Sequence, residues 1–287
     1  MENIQLTLDR NVLIDMGKYQ LELGKKTYIM GILNITPDSF SDGGNYVDLD
    51  KAIQHAKEMV EEGADIIDVG GESTRPGAVE VSAEEEISRV LPVVKRLVAE
   101  VKVPVSVDTY KAEVAEKVLE AGAHMINDVW GLQRDPEMAS VMAKFKKPVV
   151  MMHNQHGTEY EGDIMESIAD FLSKSIKIAL EAGIKNHNII LDPGIGFGKT
   201  SEQNMVVMAR LGELNKLGYP ILLGTSRKSM IGKILDLPPK ERVEGTLATT
   251  VMGIIQGSDI VRVHDIKENY RTIKVTDAIV RGQWIHG

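Results

Sequence analysis

The sequence predicts an α/β fold, a single closed (β/α)8 barrel, and three observations carry that prediction. Eight short apolar runs punctuate the chain, at Tyr28–Asn34, Ile66–Gly70, Val105–Asp108, Met125–Asp128, Val149–His153, Ile189–Asp192, Ile221–Gly224 and Ile260–His264. Almost every run stops at a polar residue. Stretches of helical periodicity separate the runs, and a glycine follows six of them: Gly63, Gly122, Gly183, Gly218, Gly257 and Gly282. A parallel strand covered on both faces is apolar throughout rather than alternating. Strands of that kind alternating with helices close into a barrel. Glycine accepts the left-handed backbone that ends a helix and turns the chain back toward the next strand.

Taken in order, residues 1–26 alternate apolar and polar in pieces, with Ile4, Leu6 and Leu8, then Tyr19, Leu21 and Leu23. They predict a small β-hairpin extension that covers the closed, N-terminal end of the barrel, and residues 27–287 the barrel itself. The first helix is expected over residues 49–62, where Ala52, Ile53, Ala56, Met59 and Val60 recur at helical spacing. Ser82-Ala83-Glu84-Glu85 reads as a capping box opening the next. Later helices are expected at about 111–121, 135–146, 163–182, 202–217, 240–256 and 266–281. No linker rich in Pro, Gly and Ser interrupts the pattern, so one domain is expected. Two long strand-to-helix loops, Ile35–Asp48 and Gly71–Val81, read as mobile lids over the active mouth.

At 287 residues the chain exceeds the ~250 that such a barrel needs. Its 43% hydrophobic and 26% charged content suits a soluble globular enzyme. The net charge of −9 argues against nucleic-acid partners and anionic membranes, but a locally positive pocket could still take an anionic substrate. The chain has no cysteine, which suits a reducing cytoplasm. Its first residues lack the basic start and long apolar core of a secretory signal. No apolar run approaches the ~20 residues that span a bilayer.

In a barrel the C-terminal strand ends share one mouth. The candidates there are Asn34, Asp108, Asn127, Asp128, His153, Asp192, Arg262 and His264. Two carboxylates, Asp108 and Asp192, with the amide of Asn127 suit a ligand edge rich in N–H donors, such as a 2-amino-4-oxopyrimidine ring. The blander alternatives are that Asp108 caps the next helix and that Asp192 caps a local glycine-rich turn. Asp192-Pro-Gly-Ile-Gly-Phe-Gly-Lys199-Thr200 is neither a nucleotide-hydrolase phosphate loop nor a dinucleotide fingerprint, because Pro193 and the glycines at 194, 196 and 198 break both patterns. A loop with so little side-chain bulk would let a flat ligand approach the main chain. Lys228, Arg262 and His264 would gather positive charge where such barrels often bind phosphate, and strand alternation puts Arg262 and His264 on one face. Arg227 reads as a surface ion pair. His153 and His156 lack the partners of a zinc site, so a core or loop role is favoured for them.

Beyond these residue-level readings, the motifs resemble a known family. Gly31-Ile-Leu-Asn34-Ile-Thr-Pro-Asp38-Ser-Phe40-Ser-Asp42-Gly43-Gly44 resembles the first signature of the dihydropteroate synthases, and Asp68-Val-Gly-Gly-Glu72-Ser-Thr74-Arg75-Pro76-Gly77 the second. The segment from Asp192 to Lys199, then Gly224-Thr-Ser226-Arg-Lys228-Ser229 and Arg262-Val-His264, complete the set in order. The family joins 6-hydroxymethyl-7,8-dihydropterin diphosphate to p-aminobenzoate in folate synthesis. The resemblance implies that Asp108, Asn127, Asp192 and Lys228 hold the pterin, with Thr74, Phe197 and Gly224 also lining that part of the site. Arg262 and His264 would hold the diphosphate, with Mg2+ on Asn34. Phe40, Thr74, Arg75, Pro76, Lys228 and Ser229 would surround the aminobenzoate. Asp108, Lys228 and Arg75 carry the catalytic expectation. Sulfonamides are expected as competitors and a homodimer as the assembly. Rival readings are a pterin-barrel methyltetrahydrofolate methyltransferase, which has no need of a diphosphate clamp, and a non-catalytic pterin-binding barrel.

Overall fold

Strand alternation decides which side chains enter the barrel and which meet the helices. The structure is a computed structural model and describes residues 12–35, 46–72 and 80–282. A two-stranded antiparallel hairpin comes first, β1 (Val12–Asp15) and β2 (Gln20–Leu23). The barrel runs β3 (Tyr28–Asn34), α1 (Tyr46–Glu62), β4 (Ile66–Gly70), α2 (Ala83–Glu100), β5 (Val105–Asp108), α3 (Ala112–Glu120) and β6 (Met125–Asp128). It continues with α4 (Met138–Phe145), β7 (Val149–Met152), α5 (Ile164–Glu181), β8 (Ile189–Asp192) and α6 (Ser201–Arg210). It ends with β9 (Leu222–Leu223), α7 (Ser229–Leu235), α8 (Val243–Ile255), β10 (Ile260–Val263) and α9 (Ile266–Val280). The sheet order is β8-β7-β6-β5-β4-β3-β10-β9, parallel throughout. A single bridge, Leu191 to Ile221, brings β8 back to β9 and nearly closes the barrel.

The eight predicted runs are the eight barrel strands. Differences lie at the edges. The run at Ile221–Gly224 makes only a two-residue ladder. The helix expected from 135 starts at Met138, because the Asp135 carboxylate accepts from Ala112 N (2.8 Å) and Glu137 N (3.0 Å) and holds a turn. The helix expected over 202–217 is α-helical only to Arg210 and finishes as a 3-10 turn, Leu211–Leu217. In the predicted capping box, Ser82 accepts from Glu85 N at 3.1 Å, but the Glu85 carboxylate pairs with Arg89 instead of reaching back. The helix-ending glycines have positive φ, from 64° at Gly282 to 113° at Gly63. Gly63 is doubly constrained, since a Cβ there would lie 2.4 Å from the Tyr270 ring.

Inside the barrel, Tyr28, Met30, Ile66, Met125, Val150, Ile190, Leu222 and Ile260 form an apolar lower layer. Ile14, Met16, Leu21 and Leu23 of the hairpin pack against that layer and plug the N-terminal end. Leu23 is fully buried, so truncating it to alanine would cost about 2–5 kcal/mol. The outward residues of the same strands, such as Ile29, Ile67, Val69, Val105 and Val107, meet the helices in one continuous core.

His124, buried beside Tyr19 of the hairpin, accepts from Val105 N through Nδ1 at 3.1 Å. Burial, with help from Lys147 and Lys18, pulls its pKa down to about 4. The unfolded chain therefore takes up this proton first as pH falls, and stability drops between about 6.5 and about 4. A His124→Gln variant is expected to show a flatter acid limb in urea melts at pH 7 and pH 5. An unchanged limb would remove His124 from the account.

Candidate active site

Above the apolar layer the same inward positions turn polar. The ladder register aligns Asn34 with Gly70, Gly70 with Asp108 and Asp108 with Asn127, one row across four strands. Gly70 leaves that row open, since a Cβ there would lie 3.5 Å from Asn34 Oδ1 and 3.8 Å from Asp108 Cβ. Arg262 enters from β10. Its Nε donates to Asp68 Oδ2 at 2.7 Å and its Nη2 to Asp108 Oδ2 at 2.8 Å. Asn127 Nδ2 donates to the same Asp68 oxygen at 3.2 Å. This inward pairing differs from the expectation that Arg262 faces an anion beside Lys228 and His264.

One guanidinium thus serves two buried carboxylates, and the excess negative charge has a consequence. Burial pushes the Asp108 carboxyl up to about 7, more than the nearby Arg262 offsets, and the Asp68 carboxylate adds to the rise. For Arg262, burial opposes the charge, but Asp68 and Asp108 outweigh it and hold its pKa above the ordinary value. Among the described residues Asp68 Oδ1, Asp108 Oδ1 and Asn127 Oδ1 are buried without a hydrogen-bond partner. Such acceptors are costly unless something supplies donors.

Asp192 ends β8 across the barrel, opposite Met152 in register. Its Oδ1 accepts from Gly194 N at 2.7 Å, and its Oδ2 lies 3.9 Å from where a Gly224 Cβ would be. Burial raises its carboxyl to about 6, against the backbone bond from Gly194 and the charges of Lys228 and Arg262. The glycine-rich turn after it is held by buried Lys199, whose Nζ meets His153 Nδ1 (2.8 Å), Gly194 O (2.9 Å) and Phe197 O (3.0 Å). Burial lowers Lys199 to about 7, and burial with that cation lowers His153 to about 3. The space left by the glycines is largely filled by protein. A Cβ at Gly194 would lie 1.9 Å from His153 O, and one at Gly196 would lie 2.9 Å from Lys228 Cδ. Main-chain packing against His153 accounts for Gly194, and the Lys228 side chain occupies the space beside Gly196. Lys228 Nζ rests 4.2 Å from the Phe197 ring centroid.

Ser226 links the last two strand ends, with Oγ 2.9 Å from His264 Nδ1 and accepting from His264 N at 3.2 Å. Ser229 is exposed at the start of α7. Phe40, Thr74, Arg75 and Pro76 lie outside the described residues, as do most of the two long loops. Asp128 and His153 point away from the mouth because strand parity turns them outward. Asp128 accepts from Trp130 N and Leu132 N at 2.8 and 2.7 Å and shapes a turn. Asp108 caps no helix, since α3 begins after Lys111 without a side-chain cap.

Sequence reasoning missed Asp68, Lys199 and Glu72. Asp68 had a signal, being an acid in the middle of the wholly buried run Ile66–Gly70. Glu72 accepts from Tyr110 Oη at 3.2 Å and pairs with Lys111, which also reaches Glu86 at 2.6 Å.

No cluster of three or more His, Cys, Asp or Glu suited to a metal occurs among the described residues. The donor chemistry near Asn34 fits magnesium in a restricted way. That ion usually takes few protein oxygens and completes its octahedron with water and phosphate. Asn34 Oδ1, facing the open Gly70 position, would supply one such oxygen.

The family profile described as pterin binding enzyme matches residues 30–264. The dihydropteroate synthase of Clostridium beijerinckii is 59% identical over 267 residues, covering 93% of this chain and 99% of that one. The dihydropteroate synthase of Bacillus subtilis is 54% identical over 282 residues, covering 98% and 99%. Among solved structures, a Clostridium difficile dihydropteroate synthase in the presence of pteroic acid superposes with a TM-score of 0.90 at 61% identity, covering 91% of this chain and 99% of that one. A Xanthomonas albilineans dihydropteroate synthase with 4-aminobenzoic acid gives 0.90 at 40% identity, covering 94% and 98%.

Proposed function

The chain belongs to the pterin-binding enzyme family, and from that premise we propose how it works as a dihydropteroate synthase: it condenses 6-hydroxymethyl-7,8-dihydropterin diphosphate with p-aminobenzoate, giving 7,8-dihydropteroate and diphosphate for folate synthesis. It is a transferase. The observation that carries the assignment of residues is the set of unpartnered buried acceptors, Asp68 Oδ1, Asp108 Oδ1 and Asn127 Oδ1, on inward strand positions near the barrel end where Asp192 closes β8. A pterin offers adjacent N–H donors along one edge, which pair with a carboxylate in a fork. Asp192 and Asn127 take that edge, Asp108 lies by the ring, and Lys228 over Phe197 closes the side. Gly224 lines the same space, and Thr74 is assigned to it by the family resemblance alone.

The chemistry follows from charge. The p-aminobenzoate nitrogen is a weak nucleophile because its lone pair is drawn into a ring bearing a carboxylate. Diphosphate is a good leaving group once its charge is balanced. On the protein side that role is assigned to His264, held by Ser226, and to Arg262, which would contribute only the N–H groups that Asp68 and Asp108 leave over. Magnesium on Asn34 supplies further charge neutralisation when bound. As the methylene C–O bond breaks, positive charge spreads into the pterin ring, and the Asp108 carboxylate beside it stabilises that charge. The amine then bonds to the methylene carbon and loses a proton. Phe40, Thr74, Arg75, Pro76 and Ser229 would hold the aminobenzoate, and Arg75 would bring its loop over the mouth to exclude water. Catalysis is assigned to residues 27–287 as one domain, with the β1–β2 hairpin before it as its basal cap.

For assembly, a homodimer through α8 and α9 is supported by their outer faces. Met252 and Ile255 on α8, and Val275 and Ile279 on α9, are exposed apolar side chains on two helices that pack together. No helix among the described residues is long and apolar enough to cross a membrane. The cysteine-free chain suits the cytoplasm, where we place it.

A coupled assay of diphosphate release tests the whole reading. Release should require p-aminobenzoate and fall when magnesium is withheld. Sulfonamides should raise the apparent KM for p-aminobenzoate without lowering kcat. Release without p-aminobenzoate, or inhibition that excess p-aminobenzoate does not relieve, would count against it.

A further inference from the structure

Arg227 has φ of 59°, in the left-handed region that disfavours a residue with a side chain, and it sits between Ser226 and Lys228. Such a residue persists only where its surroundings over-determine it, and such sites cluster at function. Here three restraints act together. Arg227 N donates to Thr246 Oγ1 at 3.1 Å. Its carbonyl accepts from Arg242 Nη1 at 3.0 Å, and the same nitrogen reaches Lys228 O at 3.3 Å. Its guanidinium grips Asp265 with two nitrogens, Nε at 3.1 Å from Oδ2 and Nη2 on Oδ1.

Asp265 directly follows His264, so this fork ties the loop after β9 to the loop after β10. Ser226 makes a second tie between the same loops through His264. The two side chains keep only 28% exposure for Arg227 and 18% for Asp265, and a two-nitrogen fork of this kind fixes the orientation of both partners as well as joining them. A directional fork that holds a disfavoured backbone in place points to what lies beside it. Its neighbours in the chain are the cation over Phe197 and the imidazole assigned to the leaving group.

We propose that the Arg227–Asp265 pair is a positioning device, fixing Lys228 relative to His264 and hence the two reactants relative to the departing diphosphate. The inference rests on the reading of the site given above. Among the described residues, neither side chain bonds to the row of Asn34, Asp108 and Asn127 or to the Asp192 turn, and the pair reaches the pterin only through Lys228, so pterin affinity should fall less than the rate. The rate takes the larger loss, because small misplacement of reacting groups is costly.

The test compares Arg227→Ala, Asp265→Ala, the double variant and the swapped pair Arg227→Asp with Asp265→Arg. Each is assayed for kcat, both KM values, pterin affinity by calorimetry and Tm. Each single variant is expected to lose on the order of 10- to 100-fold in kcat while pterin affinity, touched only through Lys228, falls by a clearly smaller factor. The double variant should be no slower than the worse single one, and the swapped pair should recover most of the rate. Single variants with wild-type kcat would overturn the inference. So would losses that multiply in the double variant, or losses that track Tm and pterin affinity together. Wild-type enzyme that fails to release diphosphate would instead sink the reading of the site, which keeps the two failures apart.

Discussion

Asp192→Asn is expected to weaken pterin binding by roughly 100- to 1000-fold, about 3–4 kcal/mol, while leaving the fold intact. Asp192 holds Gly194 N with Oδ1 and keeps Oδ2 toward Gly224, inside the mouth. Both oxygens of a carboxylate accept, so the backbone bond and a ligand donor are served at once. An amide has one acceptor and one donor group. If its oxygen stays on Gly194, its NH2 meets the ligand's own N–H groups. If it turns, the backbone N–H is left without a partner. Calorimetry with a dihydropterin would read the loss directly, and near-normal affinity would remove Asp192 from the pterin site. A pH series separates this from misfolding. Burial raises Asp192 to about 6 and Asp108 to about 7 in the free protein, so both are largely protonated at pH 5 and ionised at pH 8. Ligand N–H donors favour the ionised forms, and wild-type pterin affinity should therefore rise with pH across that range. In Asp192→Asn only the Asp108 part of that rise should remain.

The barrel was legible because its strands are buried on both faces, which writes them as uninterrupted apolar runs, and because left-handed helix ends favour glycine, although Lys146 and Asp236 end α4 and α7 in that conformation. The site was legible where a polar residue ends such a run on the inward parity, as at Asn34, Asp108, Asn127 and Asp192. Parity also separates Asp128 and His153 from the others, although both end apolar runs, so counting alternate residues along β6 and β7 would have set them aside. Asp68 was hidden because it sits inside a run rather than at its end, yet an acid there has to find a partner, and Arg262 is that partner. Lys199 was hidden by its motif. Its role depends on the carbonyls of Gly194 and Phe197 folding back on it, and on His153 arriving from another strand. No local pattern encodes a contact of that kind. The short helix α7 escaped for a simpler reason, since seven residues are too few for an apolar period to stand out.

Arg262→Met should abolish turnover and destabilise the fold by about 3–5 kcal/mol near pH 8, because it leaves two buried carboxylates without their cation. Methionine keeps much of the side-chain length, so lost volume is a minor part of the effect. Asp68 and Asp108 share that guanidinium, and Asp68 has no exposure to water. The pH dependence distinguishes this cause from a packing defect. Burial already raises Asp108 to about 7 with Arg262 present, and removing the cation raises it further. The folded protein then binds a proton that the unfolded chain, with an aspartate pKa of about 3.9, does not. Stability is lost as pH rises through the folded value and regained as pH falls below it. Urea melts of Arg262→Met should accordingly show a deficit that shrinks markedly between pH 8 and pH 5.5. Adding Asp68→Asn to the same variant should recover part of the pH 8 deficit, since one of the stranded charges is gone. A deficit equal at both pH values, and untouched by Asp68→Asn, would mean that Arg262 acts by filling space and that the charge balance drawn between β4, β5 and β10 is not what holds the mouth together.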